Sequence, residues 1–430
     1  MKIFGLFMLA MVSTSALGQA TGPSLDYGLG IRAEYQSNVT LDPTDEIDDL
    51  LLVPFVDFDL TRAGANVDAT VTGLLEYVTF QEDAFDNEFR GAIDADVLWR
   101  ISDQRFHWVF EENLARSQIN VLDRNTPNNL QQINTLSTGP DVIFRLSGTD
   151  NVMLSARYRN FYADARDDDF SGVGGAISWN RQSSPSLQYG LRLERSGVSF
   201  DDPSFLNTDY DRDQLALNFN SARNLRGGRH EFSAEAGYMR ISFDDATRDD
   251  ADTPLLRLAY DVTRPDGLAY GISLTREIGD ISSDLERTGR IPQLDNVLQT
   301  GQTGDPFERS RLDANFSRAW DRFSLGLTVS LDDQDFDAAA LDQENLSAAI
   351  NAEYRVRPLV SVFGGVVWMD QEFTQLGQED EFLDASVGIR YQRTRRINYD
   401  LQIRYNDQDS TNLTQRSDNT SLVFRFTYRR

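Results

Sequence analysis

Apolar and polar residues alternate one by one along most of this chain. In "FSLGLTVSL", Phe323, Leu325, Leu327, Val329 and Leu331 fall on one side of an extended chain and Ser324, Gly326, Thr328 and Ser330 on the other. "INYDLQIRY" sets Ile397, Tyr399, Leu401, Ile403 and Tyr405 against Asn398, Asp400, Gln402 and Arg404. "LQYGLRLER", "VMLSARYRN" and "LAYGISLT" behave alike. About twenty such segments run from near Ser24 to Tyr428. Period-two alternation predicts strands with one apolar face, since helical apolar positions would recur every three or four residues.

The connections alternate as well. Short turns such as "RAGAN" (62–66), "LRGGR" (225–229), "RPDG" (264–267) and "RTRR" (393–396) follow the even-numbered strands. Longer acidic loops follow the odd ones, among them 37–46, 117–131, 201–209, 244–252 and the longest, 279–305. Long strands with short turns at one end and long loops at the other match an all-β, transmembrane, antiparallel up-and-down β-barrel. The expected count is about twenty strands, with eighteen as the alternative, and an even number follows from the paired rhythm. The apolar face would then meet lipid. Aromatic residues gather at strand ends before the loops: Tyr77, Phe80, Phe161, Tyr162, Phe200, Phe243, Phe336, Phe373 and Tyr405. They are expected to form a girdle at the headgroups.

The first residues change the compartment. Lys2 precedes an apolar run from Ile3 to Val12 and then small residues, the pattern of a secretory leader. Residues 1–18 are read as a signal peptide, with cleavage after 18 or 20, and 19–430 as a single barrel domain. The run is too short to span a bilayer, and no later run reaches transmembrane-helix length. The chain has no cysteine, so neither disulfides nor a lipidated cysteine enter the account.

The opening of the mature chain, "DYGLGIRAEYQSNVTLDPTDEIDDLLLVPFVDFDL" (26–60), resembles the β-barrel porin type 2 family and the related EpsL-like barrels of exopolysaccharide operons. Ser37-Asn38-Val39 stands where those proteins carry Asp-Asn-Val, Asp45 to Asp49 supply an acidic stretch, and Pro54 follows near the start of an apolar strand. The resemblance implies a Gram-negative outer-membrane barrel, often linked to polysaccharide export, and brings no catalytic residues. At the other end, Tyr428 is followed by Arg429 and Arg430, read as a short periplasmic tail after the last strand.

Candidate chemistry is sparse. The two histidines, His107 and His230, sit near periplasmic turns with no serine or acid set around them, so no enzyme is expected and no cofactor. "DDDFSG" (167–172) starts like a calcium loop but has Ser178 where a bidentate Glu would close it. It reads as a solvated acidic loop. A net charge of -27 argues against nucleic acid as a partner. The expected partners are outer-membrane lipid and lipopolysaccharide, the barrel-assembly machinery, and a polysaccharide or secretion-complex proteins.

If apolar residues face lipid, their alternates face the lumen. This places Arg157, Arg159, Arg192, Arg257, Arg309, Arg311, Arg390, Arg404 and Arg425 inside as a cationic wall. Asp68, Glu76, Asp94 and Asp96 form an acidic wall on the first strands. A polar interior with charges paired across strands is the plainer alternative. Two functions fit: a porin-like passage for anionic solute or exported polysaccharide, and a non-conducting accessory barrel that scaffolds secretion or anchors polymer.

Overall fold

The computed structural model describes residues 23–166, 169–204, 206–280 and 304–430, together with the backbone of 297–298. The expected leader and most of the 279–305 loop lie outside the described residues.

Strands follow one another as hairpins. The first quarter holds β1 (Ser24–Gln36), β2 (Asp49–Ala63), β3 (Val67–Phe80), β4 (Glu88–Ser102) and β5 (Phe106–Gln118). Next come β6 (Leu130–Arg145), β7 (Asp150–Ala163), β8 (Phe170–Ser184), β9 (Leu187–Phe200) and β10 (Tyr210–Leu225). Then follow β11 (Gly228–Phe243), β12 (Ala251–Thr263), β13 (Leu268–Gly279) and the two-residue β14 (Val297–Leu298). The chain continues with β15 (Phe307–Ala319), β16 (Phe323–Phe336), β17 (Gln343–Arg357) and β18 (Val360–Phe373). It ends with β19 (Gln378–Thr394), β20 (Ile397–Ser410) and β21 (Ser417–Arg429).

All 21 strands belong to one sheet. Without β14, which pairs in parallel with Arg116 and Ser117 of β5, twenty remain, each antiparallel to its neighbours. β21 pairs back onto β1, with Arg425 opposite Arg32 and Leu422 opposite Tyr35. The sheet is therefore a closed barrel without edges, as a bilayer demands of a β-structure. Tight turns close one end. At Arg226-Gly227 both residues have positive φ (51° and 75°), the geometry that suits a two-residue hairpin to the strand twist.

The outward face is the apolar one. Leu327, Leu401, Ile403, Leu422 and Phe424 are 38–54% exposed in the isolated chain, and Phe316, Leu327, Ile350, Val366, Ala385 and Tyr405 form one continuous cross-strand row. This is the lipid-facing band of a bacterial outer-membrane β-barrel. No helix among the described residues is long and apolar enough to cross a membrane; the strands do so.

Two expectations need correction. Of the nine aromatics assigned to the headgroup girdle, Tyr77, Tyr162 and Tyr405 face outward and are 38–47% exposed. Phe80, Phe161, Phe200, Phe336 and Phe373 are at most 7% exposed and, with Phe243, lie on the lumen face. Across β7, β8 and β9, Phe161 stacks on Phe170 and Phe170 meets Phe200 at a tilt of 58°, with ring centroids 5.0 and 5.3 Å apart. They form an inward collar at the loop end, where Leu206, Ala339 and Leu341 from the loops pack on Phe307 and Phe336. Apolar rings there seat the loops and leave the headgroups to the tyrosines. The second correction concerns the terminus. Arg429 belongs to β21, its guanidinium 3.3 Å from Asp57, and Arg430 exchanges backbone hydrogen bonds with Tyr27. The arginines complete the seam between the last strand and the first.

Loops at the mouth are tied by buried charge. Arg248, between β11 and β12, bridges Asp305 and Asp337 and lies 3.8 Å over the Phe243 ring. Burial raises the Asp305 carboxyl above its usual range, although the Ala339 and Ala338 amides and Arg248 oppose the shift. Asp42 is held well below the carboxylate range by the N–H groups of Asp45 and Thr44, and then by Arg124.

Candidate functional site in the barrel lumen

The register places all thirteen candidate residues on the inward face. On β4 the outward set includes Phe89 and Trp99, so Asp94 and Asp96 point inward; on β7 Leu154, Tyr158 and Tyr162 point outward, so Arg157 and Arg159 point inward. Their partners are what alternation could not supply.

From β7 onward the arginines do not stand as a bare cationic wall. Arg157 meets Asp141 at 2.8 Å and Arg192 meets Glu194 at 2.6 Å. Arg257 sits between Glu235 (2.8 Å) and Glu277 (2.5 Å). Arg309 donates to Asp332 at 2.7 Å, and Arg311 lies 2.8 Å from Asp313. Arg404 donates to Asp384 at 2.9 Å. Arg390 bridges Asp400 at 2.8 Å and lies 5.0 Å over the Phe363 ring. Arg425 lies 5.2 Å over Phe55. The expected cationic wall is thus largely a ladder of ion pairs: adjacent strands bring Asp141, Glu235, Glu277, Asp332, Asp384 and Asp400 within reach of a guanidinium, while Glu194 and Asp313 pair two residues along their own strands.

The acidic wall is also partly neutralised. Asp68 is bonded to Arg100, and Glu76 pairs with Arg32 at 3.3 Å. Asp94 accepts from Asn113 at 3.3 Å. Asp96 differs. It stands directly opposite Glu111 of β5, and neither carboxylate has an ion pair among the described residues. Like charges at opposed positions repel, so this pair projects a negative field into the lumen. Glu111 escaped the sequence reading because it adjoins Glu112 and only the register tells which of the two points inward.

Next to this pair lies a recess of about 220 Å³. Its floor is the inward face of β8, where "FSGVGGA" places Gly172, Gly174 and Ala176. A Cβ at Gly174 would come within 2.9 Å of Ser196, so the floor is flat because a side chain would not fit. Arg159 and Arg157 stand opposite Gly172 and Gly174 on β7, and Arg192 opposite Ser178 from β9. Glu111, Ser137 and Glu194 complete the sides, and Asp280, which accepts from the Tyr210 hydroxyl at 3.0 Å, closes the upper end. Along one cross-strand row the inward residues read Asp96, Glu111, Ser137, Arg159 and Gly172. Negative charge gives way to positive within three strands.

No three His, Cys, Asp or Glu side chains among the described residues are grouped to hold a metal ion. Part of the calcium-like stretch, residues 167 and 168, lies outside the described residues; Asp169 accepts from the Ala163 N–H, and Gly172 is the recess floor. His230 is engaged locally, its ring nitrogens 2.7 Å from the Tyr260 hydroxyl and 3.1 Å from the Leu225 carbonyl. His107 lies opposite Asp141 near the turn end.

No protein-family model matches the chain, and no curated protein matches it. The resemblance to the polysaccharide-operon barrels therefore finds no support there. Solved outer-membrane porins do resemble it in arrangement. OpdK of Pseudomonas aeruginosa, solved with vanillate, is 12% identical over 95% of this chain and 99% of its own, with a TM-score of 0.40. OccK2 of the same organism, in complex with glucuronate, is 11% identical over 94% and 98%, with a TM-score of 0.42. A BenF-like porin from Pseudomonas fluorescens is 11% identical over 96% and 100%, at 0.41. At this distance the fold rests on the strand register itself.

Proposed function

We propose that this barrel is a porin-like passage for small solutes that bear a carboxylate. The recess on β7–β9 carries the reading: Arg159, together with Arg157 and Arg192, which are paired to Asp141 and Glu194, lines a glycine floor that leaves room for a small anionic group. Guanidinium forks match a carboxylate's two oxygens, and a lumen-side recess that the solute can leave suits transit. Asp96 and Glu111 beside it set an opposing field, so the passage discriminates by orientation as well as by charge sign. Export of a long polymer rests on the family resemblance alone. The non-conducting accessory barrel draws support from the loops seated on the inward collar.

Liposome swelling tests this. Purified protein should admit lactate faster than glycerol, which is of similar size. Changing Arg157, Arg159 and Arg192 together to Gln should reduce that advantage about tenfold, the weight of one charged hydrogen bond of about 1.5 kcal/mol. Equal rates for the two solutes in the unaltered protein would reject the carboxylate reading. No entry of either would favour the accessory barrel.

A further inference from the structure

The lipid-facing surface is not uniform. On β16–β20 it carries large aliphatic side chains: Leu327, Ile350, Val366, Val387, Ile389, Leu401 and Ile403 are 38–55% exposed. On β4–β7 the equivalent row reads Ala95, Glu112, Leu136 and Asn160. Glu112 shares its face with Trp108 and Leu114, while Glu111 and Asn113 point inward. Leu114 and Ile93 lie one row further toward the loops, so Glu112 is inside the apolar band, not above it. It makes no hydrogen bond or ion pair among the described residues. In the adjoining rows, Asn134 has a buried Oδ1 without a hydrogen-bond partner, and Thr138 receives the Trp108 indole N–H at 2.9 Å.

A carboxyl facing hydrocarbon is unfavourable, because lipid offers no partner. Another protein surface does. We propose that the outer face of β4–β7 is the contact through which this barrel associates with a second copy of itself. The face is self-complementary: the Glu112 carboxyl accepts, while the Asn134 amide and the Asn160 N–H that does not bond the Phe170 carbonyl can donate. Closed association of identical chains brings such a patch against its own counterpart. Ala95 and Ala156 keep the surface low enough for close approach. Strand spacing and the height of the apolar band give about 500 Å² per copy. The total of about 1,000 Å² is at the lower bound for a specific interface. The inference rests on the bilayer placement of the barrel and is independent of what passes through it.

Because the chain lacks cysteine, single cysteines report contacts cleanly. In native outer membranes treated with a short bis-maleimide, Leu136→Cys should yield a dimer of this chain and Val366→Cys should not. In detergent, the unaltered protein should have an oligomeric mass, and Glu112→Leu with Asn134→Leu should lower the oligomeric fraction at least tenfold. Heat-shifted gel mobility of that variant should stay that of a folded barrel. A monomeric mass for the unaltered protein would overturn the proposal. So would cross-linking through Val366→Cys as strong as through Leu136→Cys, capture of only a different polypeptide at Leu136→Cys, or an oligomer unaffected by the double change.

Discussion

Two arcs of the lumen use the same residue types to opposite effect. On β11–β16, Arg257 is clasped between Glu235 and Glu277, and Arg309, 2% exposed, is locked to Asp332. On β4 and β5, Asp96 and Glu111 face one another, and neither has an ion pair among the described residues. A guanidinium and a carboxylate in contact look neutral a few ångströms away, whereas an uncompensated pair is felt out to the screening distance of about 8–10 Å at physiological salt. A count of inward arginines would therefore mislead. The first arc holds the wall together, and the second, with the neighbouring recess, sets the field in the passage.

The sharpest way to break this contrast is to remove a cation from the clasped arc. Arg309→Met leaves Asp332 largely buried with the neutral Gln334 amide at 3.2 Å and the more distant Arg311 at 3.6 Å. Loss of one partner of a buried pair costs about 3–5 kcal/mol, so this variant should unfold at distinctly lower denaturant concentration. An unchanged midpoint would show that the pair is not structural. The opposite arc should respond with the opposite sign. Asp96→Asn relieves a like-charge contact, and the barrel should gain about 0.2–1 kcal/mol, read from the same denaturant titration at low salt. A loss of stability there would mean that Asp96 has a role in the wall that the present contacts do not include.

Much of this was readable from the chain, but unevenly. The assignment of Leu401 to the outside and Arg404 to the inside follows from period-two alternation; Leu401 is 49% exposed, and Arg404 stands opposite Ser386. Phe161 and Tyr162 show where that reading failed. As neighbours at a strand end they look like one aromatic cluster, yet Tyr162 continues the outward set of Leu154 and Tyr158 while Phe161 continues the inward set of Arg157 and Arg159. The pattern held that answer, but proximity to the loop obscured it. Charge compensation was beyond the pattern. The partners of Arg257 lie 22 and 20 residues away on adjacent strands, and only the register shows that they converge. The glycine floor of β8 is visible as "GVGG", though its meaning depends on the arginines that the neighbouring strands set beside it.

The central claim is that uncompensated residues, not the number of charges, set the ion preference of an open lumen. Reversal potentials across a planar bilayer under a potassium chloride gradient test it most directly. Asp96→Asn with Glu111→Gln should move the preference clearly toward chloride. Removal of a whole compensated pair, Arg404→Gln with Asp384→Asn, should leave it within error of the unaltered protein. Equal shifts in the two double variants, or no conductance from the unaltered barrel, would contradict the account.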